Sequence, residues 1–253
     1  MNVFDILPSA VFKRWTPDPA LRPRTHDSRG AALTVRWLGT AGHIVETATT
    51  TVLLDPFVSR PGLLKTGFAK LVPDEAAIRA ILPPRVDAVL LGHSHYDHLM
   101  DAPLIAKLSG ARVVGSASTA AFARATGVDD AKITVVPPSG AHVTIGDIEV
   151  RFVPSQHGRI FAGRVPFPGE AAKEPRLPAR LADYRMGGAF GILLRTKGAT
   201  LYHNGSADLV DAELAGERAD VLLVGLAGRK GTRDYLARLT GALQPQLIVP
   251  THH

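Results

Sequence analysis

Gly92-His93-Ser94-His95-Tyr96-Asp97-His98 is the stretch that decides how this 253-residue chain is interpreted. It follows Asp87–Leu91, a short apolar run that predicts a buried strand, so we expect its side chains at a sheet edge, where ligand sites form. Alternation along an extended chain places His93 and His95 on the same side. Imidazole is the commonest metal-binding side chain, and two neutral imidazoles suit Zn²⁺ or a similar cation.

Asp97 and His98 supply a second pair of ligand-type side chains as the chain turns. A single buried histidine is usually only hydrogen-bonded within a core, but four ligand-type side chains within six residues are more than one ion needs. The motif therefore predicts metal chemistry.

The composition narrows the chemistry further. The chain has ten histidines and no cysteine, which excludes disulfides, cysteine-type zinc sites, iron–sulfur clusters and a thiol nucleophile. The formal charge of +6 and the pI of about 9.8 fit an anionic substrate, nucleic acid or an acidic membrane face, without choosing among them.

Membrane insertion and export are not indicated by the sequence. The longest apolar runs are far shorter than a membrane span, and Met1–Lys13 lacks the basic segment and sustained apolar stretch of a signal peptide. We therefore expect a cytoplasmic protein, with peripheral membrane contact as the alternative.

Short β-rich runs and helical segments alternate from residue 33 onward. A meander followed by helix–strand alternation is predicted in the first half and again in the second, where helices are expected around Val210–Gly216 and at Thr232–Leu243. Two such halves predict an α/β (α+β) fold in which two β-sheets face each other with helices outside, a four-layer αββα sandwich.

Two irregular segments flank or interrupt this pattern. Residues 1–32 are rich in Pro and Arg and predict an irregular arm that lies on the domain as a hydrophobic plug, with a membrane-surface anchor as the alternative. Residues 33–253 then form a single domain, interrupted at 158–188 by a long irregular stretch with several Pro and Gly. We interpret this stretch as a substrate-facing loop, the alternative being an insertion without a role.

The histidine motif resembles the His-x-His-x-Asp-His signature of the metallo-β-lactamase superfamily. Three other stretches fit further motifs of that superfamily in the same order, each a strand ending in a polar residue: Leu53–Phe57, Val153–His157 and Ile248–His252. The Trp37–Gly42 opening and the terminal Pro-Thr-His are most similar to the branch that contains L-ascorbate-6-phosphate lactonase and N-acyl-phosphatidylethanolamine phospholipase D. Related chains usually continue past the last ligand, so a native chain longer than His253 stays open.

The resemblance implies a site for two divalent metal ions, with Zn²⁺ expected and Mn²⁺ as the alternative. One ion would be held by three histidines and the other by an aspartate and two histidines: His93, His95 and His157 for the first, and Asp97, His98 and His252 for the second. Asp55 would lie behind these ligands and orient one of them through a hydrogen bond.

The chain departs from the superfamily pattern at the fourth motif. Tyr202–Asp208 places Ser206 where an aspartate usually bridges the two metals. Three outcomes are open: a water-bridged pair of ions, replacement of the bridge by Asp208, or a weakly bound second ion. The missing carboxylate leaves the site more positive, which favours anionic ligands.

Weaker signals concern four more polar residues. His43 follows a Gly-rich turn and His203 adjoins the fourth motif, so each either supports the ligands or contacts substrate, with a plain structural role as the alternative. Tyr184 and Arg185 end the irregular loop and are predicted to bind an anionic group, unless they are ordinary surface residues.

The predicted function is a metal-dependent hydrolase in which metal-activated water attacks an ester, lactone or phosphodiester bond, with a phospholipid-like diester as one candidate. Asp97 is the predicted catalytic residue, orienting the water and passing a proton to the leaving group. The expected partner is a small anionic substrate. A nuclease resembling ribonuclease Z is the rival enzyme, although aromatic residues make up only 6% and suggest no platform for stacking bases. A non-catalytic metal-binding scaffold is the other alternative.

Overall fold

Two six-stranded β-sheets form the centre of the computed structural model, which describes residues 32–160 and 163–252. Nearly all of the predicted N-terminal arm therefore lies outside the described residues, as do Phe161, Ala162 and His253. Residues from Ala31 onward belong to one compact unit.

The first sheet combines an antiparallel meander with parallel strands. Its strands, from one edge to the other, are β1 (Thr34–Gly39), β2 (Gly42–Glu46), β3 (Thr51–Leu54), β5 (Ala88–Leu90), β6 (Arg112–Gly115) and β7 (Ile133–Val135). The pairs from β1 to β3 are antiparallel, and those from β3 to β7 are parallel.

The second sheet repeats this arrangement. Its strands, from one edge to the other, are β8 (Ala141–Ile145), β9 (Ile148–Pro154), β11 (Phe190–Arg195), β12 (Thr200–Asn204), β13 (Val221–Gly225) and β14 (Leu247–Thr251). The pairs from β8 to β12 are antiparallel, and those from β12 to β14 are parallel. A separate ribbon pairs β4 (Lys70–Leu71) with β10 (Ala179–Arg180).

Residues 32–160 and 163–252 contain six α-helices beside the sheets: α1 (Leu63–Phe68), α2 (Glu75–Ile81), α3 (Tyr96–Leu99), α4 (Ala102–Ser109), α5 (Ala117–Thr126) and α6 (Tyr235–Leu243). Asp74 caps α2 and Ser116 caps α5, because each side chain accepts a hydrogen bond from the backbone N–H three residues on. Within the described residues, no helix has both the length and the apolar character that crossing a membrane would require.

Three hydrophobic clusters occupy the three interfaces of a four-layer sandwich. One lies between the sheets, where Leu54 and Leu90 of the first sheet meet Phe152 and Ile192 of the second. Another packs α2, α4 and α5 on the outer face of the first sheet, and the third packs α6 on the outer face of the second. The predicted α/β four-layer αββα fold is confirmed.

Several element boundaries differ from the prediction. The helix expected around Val210–Gly216 is only a 3₁₀ turn at Asp211–Leu214, followed by Gly216 with a left-handed φ of 78°. The helix expected at Thr232–Leu243 begins at Tyr235, because Asp234 has a φ of 49° and cannot continue a right-handed helix. The irregular loop contains strand β10 and a 3₁₀ turn at Leu181–Asp183, which pattern analysis missed together with α1.

The layer between the sheets predicts a large effect of truncating Phe152, whose ring meets Phe190 edge-on at 5.9 Å between centroids. Phe152→Ala should lower the free energy of unfolding by about 3–5 kcal/mol, because a buried ring leaves a cavity. Urea denaturation measures the loss. Leu236→Ala, at a half-exposed position on α6, is the control and should stay within about 0.5 kcal/mol of the parent. An equal loss in both variants would contradict this account of the core.

Candidate metal centre

The polar residues of the candidate site lie where strands of both sheets end. Asp55 follows β3, and His93 and His95 follow β5. From the second sheet, His157 follows β9 and His252 follows β14. Ligand sites in sheets of this kind form beyond the carboxyl ends of the strands, and the two sheets bring theirs to one cleft.

A short helix places the rest of the motif. His95 precedes α3, so Asp97 and His98 lie on its first turn, directly after the extended His-x-His segment. Strand β14 is tied to the first sheet because the backbone N–H of His252 donates to the carbonyl of Thr40, at 2.8 Å. His253, the other candidate at the end of the chain, lies outside the described residues.

The structure gathers these side chains into three overlapping groups. In each group, one ligand atom from each residue lies within 4.8 Å of the others. The groups are His93, His95 and His157; Asp97, His98 and His252; and Asp55, His93 and His98. The first two groups correspond to the two ligand sets implied by the family resemblance.

Three histidine rings are oriented by contacts on the side away from the cluster. His95 donates from Nε2 to the carbonyl of Pro166 at 2.9 Å, and His157 donates from Nδ1 to the carbonyl of Gly158 at 2.8 Å. His98 has its Nδ1 2.9 Å from Asp55 Oδ2. In His95 and His157 the other ring nitrogen is then available to a metal ion, which is how ligand histidines are usually held.

His93 gives the clearest indication that a cation belongs here. The ring is 1% exposed, and neither of its nitrogens has a hydrogen-bond partner in the described part of the chain. A buried imidazole without partners loses the hydration of both nitrogens and gains no hydrogen bond in exchange. A metal ion bound to one nitrogen would compensate for that loss. His98 Nε2 and His252 Nε2 lie 3.0 Å apart, which calls for a proton or a cation beside them. The residues therefore fit a divalent metal ion.

Burial keeps three of the candidate ligands in the neutral state that a metal requires. Desolvation lowers the pKa of His93 well below its ordinary value. Burial, with a further contribution from His157, lowers the pKa of His95 to about 4. Burial also lowers the pKa of His157. All three rings are consequently neutral near pH 7 and can donate lone pairs.

Asp55 is the centre of a fully buried hydrogen-bond network. Its Oδ1 accepts from the backbone N–H of Gly92 at 2.7 Å, while Oδ2 accepts from His203 Nε2 and contacts His98 Nδ1, each at 2.9 Å. Burial alone would raise the pKa of this carboxyl, but His98 and His203 together hold it below its usual range. With Oδ2 already shared by two rings, Asp55 orients His98 from behind the ligands.

Asp97 lies at the open side of the cluster. Burial would raise the pKa of its carboxyl, but His98 and His252 outweigh burial and lower it. Asp97 Oδ2 is 3.3 Å from His252 Nε2, and 22% of the side chain is exposed. An ionised and accessible carboxylate beside the ligands can bind a metal ion and exchange a proton with a substrate.

The irregular loop forms one wall of the cleft above these residues. The cleft has a volume of about 250 Å³, with the ligand side chains on one side and Tyr96, Gly205 and Ala227 beside them. The loop contributes its apolar residues Ile160, Pro166, Phe167 and Leu181. Part of the irregular loop therefore lines the cleft that contains the candidate ligands.

The same loop is bonded to the histidine motif. Met186 N–H donates to the Phe167 carbonyl at 2.9 Å, and the Met186 carbonyl accepts from Ser94 N–H at 2.9 Å. Ser94 Oγ also forms hydrogen bonds with Ser116 and Thr119 in the start of α5. These hydrogen bonds fix the loop to the histidine motif and thereby to the candidate site.

Three of the weaker sequence predictions are placed away from the cleft. Tyr184 is buried and stacks on Phe122 at 4.6 Å between ring centroids, so its position in the core corrects the prediction that it contacts substrate. Arg185 donates to the carbonyl of Pro168 and lines a different depression. His43 is fully buried behind the site, donating from Nδ1 to the Ala41 carbonyl at 2.9 Å, with its ring against His203.

Ser206 lies at the position where the superfamily pattern has a bridging aspartate. Ser206 is buried, and its hydroxyl lies 3.4 Å from Asn204 Oδ1. Asp208 accepts from the N–H of Leu209 through Oδ1 and belongs to none of the three groups of ligand atoms. The geometry therefore does not bring Asp208 in as a substitute for the bridging carboxylate.

Gly205 is a site residue that pattern analysis did not identify. A Cβ at this position would lie 2.9 Å from Asp55 Oδ2 and 3.1 Å from His98 Cε1. The only signal in the sequence is a glycine next to the fourth motif, and glycine is common in turns for other reasons. Its packing role becomes visible only when β12 is placed beside Asp55.

Comparison with known proteins agrees with this geometry. Residues 34–252 match the family described as the beta-lactamase superfamily domain. A UPF0173 metal-dependent hydrolase from Anaeromyxobacter sp. (strain K) is 30% identical over 227 residues, covering 86% of this chain and 73% of the relative.

Two solved structures share the fold at low sequence identity. The metallo hydrolase Igni18 from Ignicoccus hospitalis has a TM-score of 0.58 at 17% identity, covering 87% of this chain and 82% of that one. The diiron beta-hydroxylase CmlA from Streptomyces venezuelae has a TM-score of 0.57 at 18% identity, covering 86% of this chain and 44% of that one.

The fold and the histidine-rich cleft define a class, the metal-dependent hydrolases built on two facing sheets. This chain belongs to the metallo-β-lactamase superfamily, and within it to the relatives described as UPF0173 metal-dependent hydrolases. It is accordingly an enzyme that depends on a metal for hydrolysis. The hydroxylase CmlA has the same fold, so the fold alone does not identify the reaction. The bond that this chain hydrolyses has to be argued from the site.

Asp55→Asn tests the orienting role of the carboxylate. Asparagine tolerates the left-handed φ of 41° at this position but cannot accept at both side-chain atoms. We expect the affinity for Zn²⁺ to fall by about 10–100-fold, the usual cost of losing a partner behind a ligand histidine. Competition with a chromophoric chelator measures it. Asp208→Asn is the matched control and should keep the parent affinity; a loss there instead would make Asp208 a ligand.

Gly205→Ala tests the close packing around Asp55. The added methyl group would displace Asp55 or His98, so we expect fewer metal ions per folded chain, measured by elemental analysis after gel filtration. Gly241→Ala, in α6 with open space around the new Cβ, is the control and should keep full metal content while gaining up to about 1 kcal/mol of stability. Unchanged metal content in Gly205→Ala would show that the site tolerates the displacement.

Proposed function

We propose that this enzyme hydrolyses an ester-type bond, in a phosphodiester, a carboxylic ester or a lactone, next to an apolar substituent of the substrate. The observation that carries the proposal is the two-sided cleft, in which ligand side chains face an apolar wall made by the irregular loop. The ligand side supplies the chemistry, and the apolar side fits the part of the substrate beside the bond.

The site is proposed to hold two divalent ions, Zn²⁺ with Mn²⁺ as the alternative. The first would be bound by the three neutral histidines His93, His95 and His157, a nitrogen-rich set that suits Zn²⁺. The second would be bound by Asp97, His98 and His252, without a carboxylate shared between the ions because Ser206 replaces it. Bound ions supply a Lewis-acid centre that polarises a carbonyl or phosphoryl oxygen and lowers the pKa of water to about 7.

Asp97 handles the proton in this proposal. Its carboxylate is ionised and open to the cleft, so it can accept a proton from the attacking water and return it to the leaving-group oxygen. His252 Nε2, 3.3 Å from Asp97 Oδ2, holds the carboxylate on the ligand side. Asp55 and the Pro166 carbonyl keep His98 and His95 in the required orientation.

The cleft wall indicates which substituent the substrate carries. Ile160, Phe167 and Leu181 can exclude water from an apolar group and strengthen electrostatic interactions at the ligand side. Among the described residues that line the cleft there is no lysine or arginine. A negatively charged group of the substrate would therefore lie at the ligand side, and a polyanionic nucleic acid finds no basic track here.

Activity assays test the proposal directly. With Zn²⁺ or Mn²⁺ present, the parent should turn over bis(p-nitrophenyl) phosphate or one member of a panel of lactones and aryl esters, with a preference for apolar substituents. His95→Ala should lose this activity. His142→Ala, an exposed histidine on β8, is the control and should keep it.

Other outcomes separate the alternatives. Cleavage of transfer RNA, with affinity that falls steeply as salt rises, would support the nuclease instead. A protein that binds metal fully but turns over no substrate in the panel would support a scaffold.

A further inference from the structure

Three apolar side chains project from α1 with almost no cover. Leu63 is 80% exposed, Leu64 78% and Phe68 79%. We call these three residues the α1 prong. The opposite side of α1 is anchored, because Thr66 is buried and its hydroxyl donates to the Pro61 carbonyl at 3.1 Å. Single exposed apolar residues need no explanation, but three on one turn-and-a-half of helix indicate an interaction surface.

A basic depression adjoins the α1 prong. Lys70 of β4 is directly opposite Arg180 of β10, so both side chains lie on the same face of the ribbon. The depression has a volume of about 450 Å³, and its charged lining residues are Lys70, Arg176, Arg180 and Arg185 against Glu174 and Asp183. Arg180 Nη1 donates to the Phe68 carbonyl at 2.9 Å, which joins the depression to the prong.

An apolar groove adjoins the basic depression, because Pro178 lines both. It has a volume of about 270 Å³ and includes Val72 and Leu177, which are 52% and 40% exposed. Lys65 is also exposed on α1. Exposed apolar side chains and cations therefore lie close together on α1, the β4–β10 ribbon and residues 176–185, which we call the docking surface.

We propose that this surface docks the enzyme on an anionic lipid bilayer, with the α1 prong entering the headgroup region. Apolar residues ringed by lysine and arginine match both components of such a bilayer, acyl chains and anionic headgroups. A second copy of the chain is a poorer occupant, since a symmetric contact would bring the two basic depressions together. The chain's net charge of +6 acts in the same direction.

The docking surface borders the metal cleft. Leu181 lines the cleft, while its neighbours Arg180 and Ala182 line the basic depression. Docking through α1 would therefore hold the loop wall of the cleft close to the bilayer. The sequence leaves a membrane-surface anchor in the N-terminal arm as an alternative to a hydrophobic plug, whereas the described residues favour α1 for contact with a membrane. The inference does not depend on the proposed reaction.

Vesicle flotation with the full chain tests the inference. The parent should float with vesicles of phosphatidylcholine plus phosphatidylglycerol, and less with phosphatidylcholine alone or at high salt. Leu63→Ser/Leu64→Ser/Phe68→Ser should lower the vesicle partition coefficient by about tenfold or more. Because the replaced side chains are exposed, the thermal unfolding midpoint should stay unchanged. Lys70→Glu/Arg176→Glu should reduce binding to the anionic vesicles alone.

Matched controls isolate the surface. Val135→Ser/Leu236→Ser removes two exposed apolar side chains elsewhere, and Lys197→Glu/Arg233→Glu makes the same charge change elsewhere. The first control should bind vesicles as the parent does, and the second should lose less binding than Lys70→Glu/Arg176→Glu. The inference is overturned if the parent does not float, or if the triple variant floats equally well. It is also overturned if the triple variant only converts an oligomer to a monomer in gel filtration, which would make the prong an interface between copies.

Discussion

The structure depends on the burial of several ionisable side chains in one place. Histidines and carboxylates at the bottom of a cleft lose their hydration, and each must recover that loss from a fixed partner or from an ion. Asp55, the Pro166 carbonyl and the Gly158 carbonyl provide the partners, each bonding the outer nitrogen of one ring. His93 has no such partner among the residues that the structure describes, and it indicates most directly where an ion would lie.

The rest of the fold serves this requirement. The apolar layer between the sheets packs β3 and β5 against the opposite sheet, so that strand ends far apart in the chain meet at one edge. Glycine at position 205 allows the second sheet to approach Asp55 closely. The irregular loop closes one side of the cleft and is bonded to the histidine motif through Met186 and Ser94.

The proposed reaction and the proposed membrane docking depend on different sides of the irregular loop. Its inner side presents Ile160, Phe167 and Leu181 to the cleft, where they favour an apolar substituent. Its outer side presents Arg176, Arg180 and Arg185 beside the α1 prong. An enzyme with an apolar-walled cleft next to a basic and apolar surface is suited to substrates that reside at an interface between water and lipid.

The sequence by itself determined the fold class and four of the ligand-type residues, because these depend on local features. Hydrophobic period predicts strands and helices, and the spacing of His93, His95, Asp97 and His98 is within one loop and one helical turn. Only the tertiary structure decided which ring nitrogen faces the cluster, that Asp55 is shared by His98 and His203, and that Tyr184 packs in the core. These are contacts between segments distant in the chain, and α1 likewise shows its apolar face only after packing. The local sequence pattern carries no information about which side chains from distant segments come into contact. Those contacts are what position the site.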